Sequence, residues 1–249
     1  MYRFFVPIEQ IEEEQIHIFG DDVNHIRNVL RMSLGEEVYI SDGQGKEYCC
    51  IIRDIRTDEV SLDIKSVQNI QSELPVKLVL FQALPKSDKM EWVIQKAIEL
   101  GVSEIVPVKT KRCVVKLDDA KAGKKIKRWQ GIAESAAKQS GRGIVPEISE
   151  VLDLEHALEY AGELQMKLIP YELCEDMKIS GQEITKAVHM SSIGIFIGPE
   201  GGFERGEVEL AIRHGAVPIS LGKRILRTET AGMAILSVLM FQIEAERNM

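Results

Sequence analysis

The hydrophobic rhythm of the chain changes once, near residues 68–75, and that change limits the fold more than any other feature. Before it, apolar residues recur at every second position. Val38 and Ile40 alternate, Asp42-Gly43 offers a turn, residues 48–52 form a short apolar run, and Val60, Leu62 and Ile64 alternate again. Period two with tight turns predicts antiparallel strands, and several short ones suggest a small barrel. One early helix interrupts them, beginning at Asp21 as its N-cap and carrying Val23, Ile26 and Leu30 on one side.

Between Gln68 and Pro75 the apolar pattern lapses, as in a linker. Beyond it the chain alternates strand and helix. Residues 76–81 read as a continuous apolar strand, and a helix follows from Asp88 with Met90, Ile94, Ala97 and Ile98 on one stripe and Gly101 as its stop. A second helix is marked by Trp129, Ile132, Ala133, Ala136 and Ala137, and a last one runs from Thr228, its N-cap, to about Glu246. Further buried strands are predicted at 105–108, 166–169, 193–197 and 216–220. This alternation specifies α/β architecture, a mainly parallel sheet covered on both faces. The organisation expected is therefore two domains, 1–72 and 73–249, within the one or two that 249 residues allow.

The charge is divided as sharply as the hydrophobicity. Residues 1–72 hold 7 basic and 14 acidic side chains, whereas residues 109–128 hold 9 basic against Asp118 and Asp119, a net +7 inside a chain of net −8. The chain as a whole is no polycation, so nucleic acid could be held only by a local patch. On charge alone, a solvated helix face explains the 109–128 stretch at least as well as phosphate contacts. The four cysteines show neither a C-x-x-C pair nor zinc spacing, and the five histidines no ligand spacing, so no metal is expected. The most apolar segment, 231–241, is shorter than the roughly 18 residues a membrane span needs. A cytoplasmic protein with no membrane contact is the expectation.

Two loops carry the chemistry. The first is Gly198-Pro199-Glu200-Gly201-Gly202 directly after the strand ending at Ile197, with a helix predicted near Arg205. Glycine there lets backbone approach a ligand, and ligands of open α/β sheets sit beyond the C-terminal ends of strands. It is neither G-x-G-x-x-G nor a Walker A loop, which removes support for dinucleotide or triphosphate binding. The second, Leu221-Gly222-Lys223-Arg224-Ile225-Leu226-Arg227-Thr228-Glu229, also leaves a strand and feeds the last helix, so both could frame one pocket. A capping role covers Thr228 and Glu229 but not the three cations before them. A third element, Glu134 to Arg142, gives a thin alanine face and then a turn, Ser140-Gly141-Arg142-Gly143, that presents a guanidinium.

These motifs, with Arg3-Phe4-Phe5-Val6, His25 and Val29-Leu30-Arg31, Lys86, Gln95-Lys96-Ala97 and Glu99-Leu100-Gly101-Val102, resemble the RsmE-type 16S rRNA (uracil-N3)-methyltransferases of the SPOUT superfamily over essentially the whole chain. The resemblance implies a PUA-like β-barrel that helps hold RNA, followed by an α/β domain tied in a trefoil knot. It implies S-adenosylmethionine as methyl donor, bound by Ile197, Gly198, Pro199, Gly201 and Gly202 of the first loop, by Leu221, Gly222, Arg224, Ile225 and Leu226 of the second, and by Tyr171 and Glu172 as a third wall. It further implies a homodimer acting on 16S rRNA of the small ribosomal subunit, for which Arg3, Arg27, Arg31 and Lys86 are candidate RNA contacts; on charge, the basic stretch adds Lys121, Lys124, Lys125, Lys127 and Arg128 as candidates. Methylation at uracil N3 needs a proton removed and carbonyl charge stabilised. Arg142 and Arg227 are the candidate cations, and Glu200 or Glu229 the candidate proton acceptors, with capping or cofactor contact as their other reading. Two positions depart from the pattern: Lys111, where an acid is usual before Arg112, and Glu204, where a helix-capping serine is usual. Methylation of tRNA or of a ribose 2′-hydroxyl, or RNA binding without catalysis, are the alternatives.

Overall fold

The structure, a computed structural model, describes residues 2–115, 119–174 and 176–247. Lys116 and Asp118 of the basic stretch lie outside the described residues. The chain divides into two compact units, 1–73 with 137–145, and 74–136 with 146–249.

The first unit contains β1 (Arg3–Phe5), β2 (Gln15–Phe19), the short helix α1 (Asp21–Asn24), β3 (Glu37–Ser41), β4 (Lys46–Ile55) and β5 (Glu59–Asn69). They form a five-stranded sheet of order β1-β3-β4-β5-β2. The pairing β1–β3 is parallel, where only antiparallel strands were expected, and the others are antiparallel. Period-two alternation fixes which face is buried but not the direction of a neighbour. Two register shifts in β4, at Cys49/Cys50 and between Ile52 and Asp54, add the local twist that bulges bring. Phe4, Ile16, Ile18, Val38, Ile40, Cys50, Ile52, Val60 and Leu62 make its core.

Two expectations are corrected in this unit. The N-cap of α1 is Gly20, at φ +73°, not Asp21, and the helix continues as a π-helical turn, His25–Val29. The linker expected from Gln68 starts later, because β5 runs to Asn69 and pairs it with Lys46. That end of β5 is exposed on both faces, so no apolar alternation reported it.

The second unit contains β6 (Lys77–Ala83), α2 (Lys89–Glu99), β7 (Glu104–Lys109), α3 (Asp119–Ser140), β8 (Glu147–Ile148), β9 (Leu152–Asp153), α4 (Leu154–Tyr160), β10 (Met166–Pro170), α5 (Met177–Val188), β11 (Ser192–Ile197), α6 (Arg205–Arg213), β12 (Ala216–Ile219) and α7 (Thr228–Arg247). The last residues of α3 count with the first unit. The sheet order is β12-β10-β11-β6-β7-β8, with β9 also on β7, and every described pairing is parallel. Its central strand β6 buries six consecutive residues, as a strand covered on both faces must. Phe81 and Phe196 stack across β6 and β11 at 4.3 Å between ring centroids. Burial of each such side chain stabilises by about 1.5–3 kcal/mol.

Candidate active site

Because β12, β10 and β11 are parallel neighbours, their C-terminal ends lie along one edge of the sheet. The loops that leave them converge there on a cleft of about 680 Å³. Pro170, Tyr171, Glu172, Cys174 and Met177 form one wall, residues 197–203 a second, and residues 220–226 with Thr228 and Ala231 a third. The structure thus brings together Tyr171, Glu172, Ile197, Gly198, Pro199, Gly201, Gly202, Leu221, Gly222, Arg224, Ile225 and Leu226, together with Glu200. Tyr171 is anchored by its N–H, which donates to the Ile219 carbonyl at 3.0 Å, so the first wall is tied to β12.

Glycine is required in the second wall for two reasons. Gly202 has φ +66°, and a Cβ there would lie 3.1 Å from Glu172 Oε1. At Gly198 a Cβ would come within 3.2 Å of the Phe203 backbone nitrogen. The loop therefore folds back on itself through space that only a missing side chain leaves open. Its turn is closed by the Gly202 N–H donating to the Pro199 carbonyl at 2.9 Å.

Glu200 is held by a backbone amide and a lysine. Its Oε1 accepts from the Lys86 N–H at 3.0 Å and sits 3.3 Å from the Lys89 ammonium, which is also 3.3 Å from Glu229 Oε2. Burial alone would push the Glu200 pKa up, but its own amide, that of Lys86 and the Lys89 ammonium hold it below the usual carboxylate value. Burial would likewise depress Lys89, and the two carboxylates outweigh it and raise its pKa. Lys89, which the sequence motifs did not single out as a site residue, thus ties the glycine loop to the start of α7.

The two candidate arginines part company. Arg227 is exposed, precedes α7 and does not line the cleft. Arg142 belongs to the first unit and is 3% exposed. Its Nε and Nη2 donate to Glu73 at 2.9 and 2.6 Å, and the neighbouring Gly143 N–H donates to the same carboxylate at 2.7 Å. The turn expected to present a guanidinium buries it instead, because Glu73 neutralises it and Ser41 and Ser72 hold the carbonyls of Gly143 and Gly141 at 2.7 and 2.8 Å. Thr228 is also corrected. It is the first residue of α7 rather than the one before it, and its hydroxyl donates to the Gly198 carbonyl at 2.6 Å.

The candidate RNA contacts are dispersed. Arg3 is ion-paired with the buried Glu47, its Nε donating at 2.7 Å, whereas Arg27 and Arg31 are exposed near the π-helical turn, with Arg31 at φ +52°. Lys86, Lys121, Lys124 and Lys127 are exposed. Lys125 lies 5.8 Å from the Trp129 ring centroid, and Arg128 is held by Glu91 at 2.9 Å. The two departures from the motif pattern meet: Lys111 Nζ is 3.5 Å from Glu204 Oε2, while the Glu204 N–H donates to Glu207 Oε2 at 2.8 Å in the manner of a capping box. A base where an acid is usual is matched by an acid where a serine is usual.

Residues 72–240 match the family model described as RNA methyltransferase domain, and residues 20–65 the RNA methyltransferase PUA domain. The chain is 38% identical to ribosomal RNA small subunit methyltransferase E of Bacillus subtilis (strain 168), with 99% of each chain covered. The chain belongs to the ribosomal RNA small subunit methyltransferase E family. A member from Mesomycoplasma hyopneumoniae (strain 232) is 34% identical over 95% of this chain and 98% of its own. The crystal structure of the Neisseria gonorrhoeae member bound to S-adenosyl methionine superposes with a TM-score of 0.86 at 31% identity, covering 97% of this chain and 98% of that one. The family accounts for both units, a PUA-like N-terminal domain and a parallel-sheet methyltransferase domain that carries the cleft. Among the described residues no group of His, Cys, Asp and Glu could hold a metal ion, and no helix is long and apolar enough to cross a membrane.

Proposed function

We propose that this chain transfers the methyl group of S-adenosylmethionine to N3 of a uridine in 16S rRNA of the small ribosomal subunit, in the cytoplasm and as a homodimer. The observation that carries the reading is the cleft of three strand-end loops in a family with a solved member bound to that methyl donor. The residues suit the ligand. A volume of about 680 Å³ lies within the range for small-molecule sites, roughly 300–1,000 Å³. Leu221, Ile225 and Leu226 offer apolar surface to an adenine, Glu172 offers a carboxylate to a cation, and glycines expose backbone groups between them. When bound, S-adenosylmethionine supplies an electrophilic methyl group on a sulfonium.

The chain's own task is to hold the base and manage its charge. As the N3 proton passes to water and the methyl group moves from the sulfonium to N3, leaving S-adenosylhomocysteine, negative charge spreads transiently to the uracil carbonyls, and a guanidinium is the natural partner for it. Arg227 is the arginine we assign to that task, since Arg142 is committed to Glu73. Glu200 and Glu229 serve the loop through Lys89. The target uridine must be unstacked, at a cost of a few kcal/mol that is least in looped RNA. The homodimer draws support from α2 and α7, which pack on each other and leave Trp92, Val238 and Phe241 exposed.

Calorimetric titration with S-adenosylmethionine and S-adenosylhomocysteine tests the reading. Saturable binding is expected, and its loss in Gly202→Leu, where the side chain would meet Glu172, would place the ligand in the cleft. Mass spectrometry of 16S rRNA after reaction then identifies the methylated atom. No binding by the parent protein would overturn the enzyme reading.

A further inference from the structure

A polar residue sits where the sheet has no use for one. Gln82 lies near the end of β6, a strand otherwise apolar from Leu78 on, in register with Ile197 on one side and Pro107 on the other, and it is fully buried. Burying an amide costs free energy unless it is hydrogen-bonded, and leaving part of it unpaired costs more. Gln82 Nε2 donates to the Ala83 carbonyl and to Thr228 Oγ1, both at 2.9 Å, while Oε1 has no partner among the described residues. The orientation of the amide follows from Ala83, whose carbonyl can only accept. Oε1 is 3.8 Å from where a Cβ of Gly232 would stand, an ordinary contact distance, so it lies against α7.

The direction of the next bond follows in turn. Since Thr228 Oγ1 accepts from Gln82, its single hydrogen is free to be given to the Gly198 carbonyl, 2.6 Å away. Thr228 is 4% exposed, so little of it meets water. The Gly198–Pro199 peptide has no N–H, because proline lacks one, and Gly198 brings no side chain to hold it. A hydrogen bond can hold its plane only through its carbonyl. A neutral chain of two hydrogen bonds therefore runs from the middle of the sheet to the first peptide of the glycine loop.

We propose that Gln82 and Thr228 are positioning residues of the methyl-donor cleft, acting through the Gly198 carbonyl to set the affinity for S-adenosylmethionine. This rests on the methyltransferase reading. The test compares Thr228→Val, Thr228→Ser, Gln82→Leu and the Gln82→Leu/Thr228→Val double variant by calorimetric titration with S-adenosylhomocysteine, at a temperature well below each melting transition. Thr228→Val and Gln82→Leu are each expected to weaken binding about tenfold, the scale of one or two buried hydrogen bonds, and Thr228→Ser to restore it to near the parent value. The double variant is expected to lose no more than the worse single one, because either change breaks the same chain. A loss of melting temperature with unchanged affinity, additive losses in the double variant, or failure of serine to restore binding would each overturn the relay. Should one single variant not fold, the other carries the comparison. Absence of binding by the parent protein overturns the methyltransferase reading and the relay together, whereas parental binding that the variants leave untouched overturns the relay alone.

Discussion

Arg142 and Arg227 have the same functional group and opposite surroundings. A buried ion pair punishes the removal of one partner, because the other is left charged and without water. Arg142→Ala should therefore cost about 3 kcal/mol of stability, the low end for such pairs, since Glu73 keeps partial contact with solvent. Urea unfolding measures it, and a loss under about 1 kcal/mol would mean that Glu73 finds hydration at little cost. Arg227 is exposed. Its replacement by alanine should move stability by no more than about 0.5 kcal/mol, while cutting turnover more than tenfold if its guanidinium meets the charge on uracil. Turnover close to the parent value would remove Arg227 from the reaction.

At the level of elements, β7 is joined to its neighbours by one carboxylate. Glu104 accepts from Tyr160 Oη on α4 at 2.6 Å and from Ser149 Oγ at 2.8 Å, and Lys77 Nζ on β6 lies 2.9 Å away. Burial would raise its pKa, but these three partners hold it below the ordinary 4.5. The same bond pushes Tyr160 up to about 12, with burial adding to the shift. The signs differ. A depressed carboxylate stabilises the fold above its unfolded pKa and loses that contribution as pH falls below about 4.5, whereas a raised phenol contributes fully below 10 and is lost as pH climbs toward 12. Glu104→Gln should therefore flatten the stability profile in both windows, as read by thermal melts from pH 3 to 12; an unchanged profile would mean that other groups govern it. None of this was legible in the sequence, where Glu104 is one acid beside an apolar run and Tyr160 is 56 residues away. Elements with strong periodicity, such as α2 and β11, are legible because burial on one face or both writes itself into composition. The helix α5 is not, since Ile179 is exposed and only Ser180, Ala187 and Val188 are buried. The cleft walls could be read from glycine and from position after a strand. The relay of Gln82 could not, although a lone amide directly after the apolar run 78–81 is a local conflict between residue type and pattern of the kind that marks functional sites.

For the whole molecule the governing quantity is the distribution of charge. A net +7 over residues 109–128 leaves −15 on the rest of the chain, so a polyanion is attracted to one stretch and repelled elsewhere. If that stretch meets RNA, such a field would orient it before any base is read and make binding depend steeply on salt. The cations of α3 are not equivalent, however. Arg128 is held by Glu91 on α2, Lys125 lies 5.8 Å from the Trp129 ring centroid, and Lys121, Lys124 and Lys127 reach the surface. Replacing those four lysines by glutamine should lower the slope of log affinity against log salt by up to about 3, at roughly 0.7 for each single-stranded phosphate that a lysine no longer neutralises. Arg128→Gln alone should change that slope little. Neither change should alter binding of S-adenosylhomocysteine, which separates a defect in RNA capture from damage to the cleft. Filter binding of an rRNA fragment at several salt concentrations decides the matter: a slope unmoved by the four substitutions would make the face a solvated one, and the RNA would then have to be held by side chains outside α3.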